Sequence, residues 1–360
     1  MHANRSATPV FQLFTEGDLL YDAMLGSIAS AEQRVQLECY IFADDEIGWQ
    51  FAEALAERAR AGVAVQLHLD AAGSLWLGRR RMERFLRDAG VQLRWFHRWD
   101  WRHPQRYNRR DHRKLLVTDE RHAYLGGFNI HRHNSRRLYG EQRWRDTHVR
   151  LHGELVTQAR MHFESFWNGI RRWTPPRPLP RDILLPNYAH RGRKLLRRTL
   201  AGLIGGARQR VYLTTPYFVP DRRTQQLLIA AARDGVDVRL LVPRKNDVRL
   251  ARWAAHAAYE SLLVNGVRIF EYLPRVLHAK TIVADRGRGT VGTANFDYRS
   301  FFLNYELNLF TRDTALCAEL EDQFQADLAE SEEVRLEHWR KRFWGGKLLE
   351  LAGWAARRWL

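Results

Sequence analysis

The sequence predicts an α/β protein made of two similar halves, each a mixed, mostly parallel sheet flanked by helices, packed together as a pseudo-dimer. Three observations predict this fold. Strand-like apolar segments alternate with amphipathic helix-like segments, the order of these segments repeats once, and a proline-rich connector separates the two copies. With 360 residues, 45% of them hydrophobic, the chain has enough material for two packed domains.

The repeat consists of four pairs of matching segments. Each pair has the same predicted element: a strand with an acidic turn, a helix that closes at a glycine before a strand, a further strand, and a final polar motif. In chain order the pairs are 35–45 with 211–221, 53–70 with 226–243, 89–96 with 265–272, and 112–129 with 278–295. A duplicated domain of this length favours a site where two equivalent surfaces meet.

The connector sets the predicted domain boundaries. Residues 171–182 contain four prolines, which are incompatible with a helix interior or a central strand and are typical of a stiff linker. We predict a first half over 10–170, a Pro/Arg-rich linker over 171–189, a second half over 190–330, and a basic, aromatic, amphipathic tail over 331–360.

Composition limits the classes of partner and compartment. The chain has 58 Lys and Arg against 41 Asp and Glu, a net charge of +17, which predicts an anionic partner such as nucleic acid or an acidic membrane surface. Two cysteines exclude a disulfide framework and a cysteine-based zinc site. We find neither a secretory signal nor an apolar run long enough to span a bilayer, and therefore expect a soluble intracellular chain.

Each half carries the spacing His-x-Lys-x4-Asp, followed by a glycine-containing turn that ends at an asparagine. These residues are His112, Lys114, Asp119 and Asn129 in the first half, and His278, Lys280, Asp285 and Asn295 in the second. Six of the 58 basic residues are lysines, yet lysine stands at both motif positions. Its compact charge with three donors suits a phosphoryl oxygen. Two equivalent copies of this pattern indicate catalysis at a phosphate.

Strand geometry predicts where these residues lie. A histidine and a lysine two positions apart point to the same face of a strand. If 112–129 and 278–295 each fold as a hairpin, each asparagine returns beside the histidine of its motif. The aspartate is seven residues from its histidine, roughly 23 Å in a strand that rises ~3.3 Å per residue. We expect Asp119 and Asp285 to serve the catalytic motif by bracing the turn without touching substrate.

Two further carboxylates are candidates for orienting the histidines. Asp146 follows the first motif at the start of a predicted strand, and Glu306 follows the second motif in the same way. Each would accept a hydrogen bond from the imidazole of its motif, fix the tautomer and stabilise the imidazolium. The alternative is a half-exposed strand carboxylate with no such role.

Two histidines suit exchange at a phosphodiester. One neutral imidazole attacks phosphorus and forms a phosphohistidine, while the other, protonated, donates its proton to the leaving alcohol. Two lysines and two asparagines would hold the equatorial oxygens, where charge concentrates, so the chemistry needs no metal ion or other cofactor. The histidines of residues 131–135 could suggest a metal site, but polar loop residues beside an anionic substrate are the simpler interpretation.

The motif segments closely resemble the phospholipase D superfamily, and longer matches narrow the resemblance to the bacterial cardiolipin synthases. The matching stretches include LECYIFADDEIG, HRKLLVTDERHAYLGGFNI, WRDTHVRLHG, LHAKTIVAD and GTANFDYRSFFLNYELN. The resemblance covers about residues 10–330. It is greatest to the shorter members, which start directly in the catalytic region without N-terminal transmembrane helices.

The resemblance implies two phospholipase D-like halves and a phosphatidyltransferase. His112 would be the nucleophile and His278 the acid and base, and two phosphatidylglycerols would yield cardiolipin and glycerol at the cytoplasmic face of the bacterial inner membrane. Phosphatidylethanolamine as donor stays open. The alternative activity is a phospholipase D-type phosphodiesterase that hydrolyses phospholipid or nucleic acid. A non-catalytic binding module is disfavoured because both motifs are intact.

Two segments are candidates for membrane contact. An insert at 97–111 carries Trp99, Trp101 and Tyr107 among five arginines, which suits the headgroup level of an anionic bilayer. The same residues could stack on nucleic-acid bases or form a solvated loop, although nucleic acid is the less favoured partner. The tail after residue 335 mixes tryptophans with basic residues, as in a helix lying in the membrane interface. The alternative is a helix docked on the core.

Overall fold

The fold consists of two sheets with helices, joined across an apolar interface. The computed structural model describes residues 11–74, 81–246 and 248–342, together with residues 350, 353 and 355. The first-half strands are β1 (Phe11–Phe14), β2 (Arg34–Cys39), β3 (Ala64–Asp70), β4 (Gln92–Phe96), β5 (Leu115–Thr118), β6 (His122–Gly126) and β7 (His148–Leu151). The helices are α1 (Gly17–Ala29), α2 (Glu46–Arg60), α3 (Arg81–Asp88), α4 (Pro104–Tyr107), α5 (Arg136–Tyr139) and α6 (Glu154–Trp167).

The second half repeats this order. Its strands are β8 (Ile183–Pro186), β9 (Arg210–Thr214), β10 (Asp237–Pro243), β11 (Arg268–Tyr272), β12 (Thr281–Ala284), β13 (Arg288–Gly292), β14 (Leu307–Thr311) and β15 (Ser331–Glu333). Its helices are α7 (Ala189–Gly205), α8 (Arg222–Arg233), α9 (Arg249–Val264), α10 (Thr314–Ala329) and α11 (Leu336–Arg340), and a π-helical turn spans Arg299–Leu303.

Equivalent local signals form the helices that follow β2 and β9. Asp45 caps α2 by accepting a hydrogen bond from the backbone N–H of Gly48, and Asp221 caps α8 through the N–H of Thr224. Both helices are followed by a glycine with positive φ, 89° at position 62 and 85° at position 235, from which the chain enters a parallel strand. The predicted strand, helix and strand of each half are therefore confirmed.

The two sheets are mixed, as predicted, but they are not mostly parallel. The first has the order β1-β7-β6-β5-β2-β3-β4 and the second β15-β11-β10-β9-β12-β13-β14-β8. Among the described strands, only β2-β3-β4 and β9-β10-β11 run parallel. The prediction of mostly parallel strands was wrong because each motif segment folds as a short antiparallel hairpin. The next strand of each half also pairs antiparallel with that hairpin.

The interface between the halves is a shared apolar core. Leu115, Val149 and Leu155 of the first half pack in one cluster with Val283 and Leu307 of the second. Four of these side chains lie on strands that carry or follow the two motifs, and Leu155 lies on α6. Packing of the sheets therefore also fixes how the motifs face each other. The pseudo-dimer that the sequence predicts is the observed arrangement.

The connector and the tail are partly packed. Residues 171–182 form neither helix nor strand, and the residues after them form β8, which pairs with β14. At the other end, β15 pairs with β11, and Trp339 of α11 is buried against Tyr259 of α9. The predicted interfacial aromatic residues beyond 342 lie outside the described residues. Within the described residues, every helix is too short or too polar to cross a bilayer.

Candidate active site

The two motif histidines are brought together by backbone pairing between the halves. The backbone N–H of His112 donates to the carbonyl of Tyr305 at 3.0 Å, and that of His278 donates to the carbonyl of Arg145 at 2.7 Å. Each bond joins a motif histidine, three residues before its motif strand, to the segment after the other motif. Both histidines therefore sit just ahead of their strands, on the interface.

A cavity of about 380 Å³ opens between them. Its lining includes both motif histidines and both motif asparagines, Asn129 and Asn295. The histidines are nearly buried, with 7% of His112 and 5% of His278 exposed. The hairpins predicted for 112–129 and 278–295 are confirmed as β5-β6 and β12-β13, and they return each asparagine to the cavity. The sequence thus predicted which four side chains share one cavity.

The carboxylates that contact the imidazoles are exchanged between the halves. Nδ1 of His112 lies 3.0 Å from Oε2 of Glu306, and Nδ1 of His278 lies 2.6 Å from Oδ2 of Asp146. The expectation that each carboxylate serves the imidazole of its own motif was wrong. The bridge between Arg145 and Leu277 explains the exchange, because it places the residue after Arg145 opposite the residue after Leu277.

The motif lysines lie behind the imidazoles and are almost fully buried. Nζ of Lys114 donates to the carbonyl of His112 at 2.7 Å, and Nζ of Lys280 donates to the carbonyl of His278. Lys280 Nζ is also 3.8 Å from Asp146 and 2.7 Å from Nδ1 of His278. Because a carboxylate can only accept, Nδ1 of His278 donates its proton to Asp146. The ammonium of Lys280 donates to the backbone carbonyl of His278.

The motif aspartates lie at the far ends of the hairpins. The carboxylate of Asp119 accepts hydrogen bonds from the three backbone N–H groups of residues 32–34, and that of Asp285 accepts from residues 208–210. Both aspartates have positive φ, 47° and 53°. Each therefore joins its turn to the chain entering the neighbouring strand, and neither lines the cavity.

The electrostatics of the two imidazole-carboxylate pairs differ. Burial, together with Lys114 and Lys280, holds the pKa of His112 well below its usual value. Burial raises the pKa of its partner Glu306 to about 7. Burial also opposes ionisation of Asp146, but Lys280 and His278 outweigh it and lower the pKa of that carboxyl. The structure thus favours a neutral imidazole at His112 and a charged carboxylate beside His278.

Comparison with known proteins identifies the family. The model of a domain described as "Cardiolipin synthase, PLD-like domain" matches residues 24–167 and 200–328. The chain belongs to this cardiolipin synthase family of phospholipase D-like proteins. The resemblance seen in the sequence is therefore confirmed.

Relatives of this family match most of the chain. A cardiolipin synthase of Clostridium perfringens is 33% identical over 347 residues, which cover 92% of this chain and 72% of the relative. Cardiolipin synthase A of Pseudomonas aeruginosa is 35% identical over 340 residues, 89% of this chain and 67% of the relative. The crystal structure of Haemophilus influenzae phosphatidylserine synthase shares the fold, with a TM-score of 0.73 at 13% identity over 98% of this chain and 95% of that one.

The aromatic side chains that line the cavity between the two histidines were not identified from the sequence. The ring of Tyr40 meets His112 edge-on at a centroid distance of 5.0 Å, and Trp144 lies 5.4 Å from His278. Tyr217 lines the same cavity. Both Tyr40 and Tyr217 lie within the repeated strand segments, and this repetition could have indicated a shared role. They occupy neighbouring rather than equivalent positions of the repeat, so the comparison of the two copies did not match them.

A buried ionic cluster beneath His112 was also missed. Glu38, His68 and Asp111 are close enough together to act as metal ligands. The guanidinium of Arg113, however, contacts Glu38 directly and lies 3.3 Å from Asp111. Burial and the neighbouring Glu38 raise the pKa of Asp111 well above its usual value, so the single charge of Arg113 faces about one negative charge. Because this guanidinium already contacts both carboxylates, the cluster does not fit a metal ion and forms an internal ion pair at the motif segment.

The predicted insert reaches the rim of the cavity. Trp99 and Trp101 are 65% and 75% exposed, which is unusual for such large apolar side chains. Near the other end of the insert, Asn108 accepts a hydrogen bond from Arg299, a residue that lines the cavity. The insert therefore presents two tryptophans to solvent from a base anchored at the site.

Proposed function

We propose that this protein is a cardiolipin synthase that transfers a phosphatidyl group from one phosphatidylglycerol to another and releases glycerol. One observation carries the proposal: two imidazoles line a single cavity between the halves, and each contacts a carboxylate of the opposite half. Burial raises the pKa of Glu306 beside His112, whereas Lys280 and His278 lower the pKa of Asp146. Membership of the cardiolipin synthase family supports a phospholipid as the substrate.

In the proposed first step, His112 is the nucleophile. Its Nδ1 faces Glu306, so Nε2 is the nitrogen that attacks phosphorus. A phosphorus–nitrogen bond forms and the bond from phosphorus to the glycerol oxygen breaks. The imidazolium of His278, stabilised by Asp146, donates its proton to that oxygen as glycerol leaves.

In the second step the roles reverse. His278, now neutral, takes the proton from a headgroup hydroxyl of a second phosphatidylglycerol, whose oxygen attacks the phosphohistidine. A phosphorus–oxygen bond forms, the phosphorus–nitrogen bond breaks and His112 is regenerated. Lys114 and Lys280 place two positive charges behind the imidazoles, and the two asparagines of the cavity donate to the equatorial oxygens. We propose no metal ion or other cofactor in either step.

We also propose a peripheral attachment to the cytoplasmic face of the inner membrane, with anionic phospholipid as the binding surface. The exposed Trp99 and Trp101 support this location, because an indole ring is stabilised at the level of lipid headgroups. The net charge of +17 supports an anionic surface.

Mass spectrometry of the products tests the activity. Purified protein is incubated with phosphatidylglycerol vesicles in EDTA, with the His112→Ala variant as the control. We expect cardiolipin and an equal amount of glycerol from the wild type alone. Phosphatidic acid in place of cardiolipin would assign the protein as a phospholipase, and the absence of any product would overturn the proposal.

A further inference from the structure

A second cavity, of about 300 Å³, lies outside the active site between α7 and α8. Its rim carries five cationic side chains, and three phenylalanines lie among its lining residues. The cations are Arg193, Lys194, Arg197, Arg198 and Arg223, and the phenylalanines are Phe296, Phe301 and Phe302. We name this cavity the α7-α8 basic cleft. One carboxylate, Asp221, lines it and is paired with Arg197.

The concentration of positive charge here is not required by the fold. Residues 183–220 contain seven lysines and arginines and no aspartate or glutamate. Helix α1, which occupies the equivalent place in the first half, has two aspartates and no lysine or arginine. Crowded cations repel one another and destabilise a folded chain unless an anion compensates them. The second half therefore holds a charge cluster that suits a bound anion.

The cleft is also shaped for a ligand with an apolar part. The guanidinium of Arg197 lies 4.5 Å from the centre of the Phe302 ring, which fixes a cation against the aromatic lining. Lys194, Arg198 and Arg223 are exposed at the rim. Phe302 is partly buried, and Phe296 and Phe301 are packed into the core. A cation above the Phe302 ring matches a lipid, whose phosphate meets the rim while its glycerol and first methylenes meet that ring. A free phosphate or a nucleic-acid backbone leaves the ring unused.

The cleft adjoins the predicted membrane-binding insert. Arg193 lies close enough to Arg109 of the insert for the two charges to interact, and burial together with that charge lowers the pKa of Arg193. Arg299, in the π-helical turn that contributes to the lining of the cleft, binds the insert at Asn108. The cleft and the insert are thus neighbouring parts of one surface beside the active-site cavity.

We propose that the α7-α8 basic cleft binds the phosphate of an anionic phospholipid that is not the reacting substrate, and so anchors the protein to the membrane. The reacting phosphate belongs at the two imidazoles, in a different cavity. The anchor lipid would hold the second half on the bilayer, while the tryptophans of the insert hold the first.

Cosedimentation with vesicles tests this proposal. The variant Lys194→Ala/Arg198→Ala/Arg223→Ala is made in a His112→Ala background, so that no lipid is consumed. Vesicles contain equal amounts of phosphatidylcholine and phosphatidylglycerol, or phosphatidylcholine alone. Since each cation at an anionic surface contributes about fivefold, we expect affinity for the anionic vesicles to fall on the order of 100-fold.

The matched control is Arg121→Ala/Arg208→Ala/Arg286→Ala in the same background. It removes the same charge from exposed positions in or beside the hairpin turns, at the strand ends opposite the histidines. We expect this control to lose less than about fivefold, as one surface cation contributes. Equal losses in both triple variants would show diffuse attraction and overturn the site, as would an unchanged affinity of the cleft variant.

Three further measurements on the cleft variant separate the possible ligands and functions: the thermal shift by glycerophosphate, binding of single-stranded DNA, and turnover in detergent. A thermal shift by glycerophosphate that the cleft substitutions abolish, without any change in vesicle binding, would assign the cleft to a soluble anion and overturn the lipid anchor. A loss confined to single-stranded DNA binding would do the same in favour of nucleic acid. With His112 intact, the cleft variant should keep its turnover of detergent-solubilised phosphatidylglycerol, so the anchor can fail independently of the proposed transferase activity.

Discussion

Replacing Asp146 by asparagine tests the electrostatic difference between the two imidazoles. The side chain keeps its size but loses the charge that faces Nδ1 of His278 at 2.6 Å. A hydrogen bond to a charged group contributes about 1.5–3 kcal/mol, and the buried position of this pair places the effect near the upper end. About 3 kcal/mol corresponds to a decrease in kcat of roughly 100-fold.

The matched variant is Glu306→Gln. Because burial raises the pKa of Glu306 to about 7, a substantial share of these carboxyls is already neutral at neutral pH, and we expect a loss below about tenfold. The wild type should lose activity as the pH falls through 7, since protonation removes the acceptor that faces Nδ1 of His112. That decrease should flatten in Glu306→Gln.

Steady-state formation of cardiolipin across pH 5–9 measures both variants, with circular dichroism as the check on folding. Equal losses at the two positions, or a larger loss in Glu306→Gln, would refute the assignment of His278 as the charged acid. If Glu306→Gln loses activity below pH 7 as steeply as the wild type, the carboxyl of Glu306 is not the cause of that decrease.

Three further outcomes are expected. His112→Ala and His278→Ala should each abolish product formation in the mass spectrometry assay, and substantial residual turnover in either would contradict a two-histidine mechanism. EDTA should leave the rate unchanged; inhibition reversed by a divalent ion would overturn the metal-free proposal. Asp119→Ala removes the acceptor of three backbone N–H groups and should lower the free energy of unfolding by about 2 kcal/mol in urea titrations, while the activity of the folded fraction is kept. A loss of kcat with normal stability would instead assign Asp119 to the chemistry.

The sequence predicted the repeat, the hairpins and the four cavity-lining motif residues because each follows from local spacing. A glycine after an amphipathic segment closes α2 and α8, and the hairpin turn in the middle of each motif segment returns Asn129 and Asn295 towards the cavity. These patterns lie within segments of a few tens of residues, so they can be recognised in the sequence without the tertiary structure.

The features that the sequence did not predict depend on contacts between distant segments. The pairing of Asp146 with His278 spans 132 positions and requires the docked interface. The antiparallel majority in the sheets follows from the motif hairpins returning to the edge, and not from helix crossovers. The α7-α8 basic cleft becomes visible only when α7 and α8 lie side by side, because no short motif marks it.

The exchange of carboxylates makes the two halves mutually dependent. Each imidazole is hydrogen-bonded to a carboxylate from the other half. One half on its own would therefore hold a histidine without its carboxylate and a carboxylate without its histidine. Under the proposed mechanism, loosening the contact between the sheets would disable the nucleophile and the acid together, so turnover would depend on docking as well as on chemistry. A duplicated gene that evolved in this way cannot lose either copy and keep a simpler, slower enzyme, unless the remaining copy pairs with another of its kind.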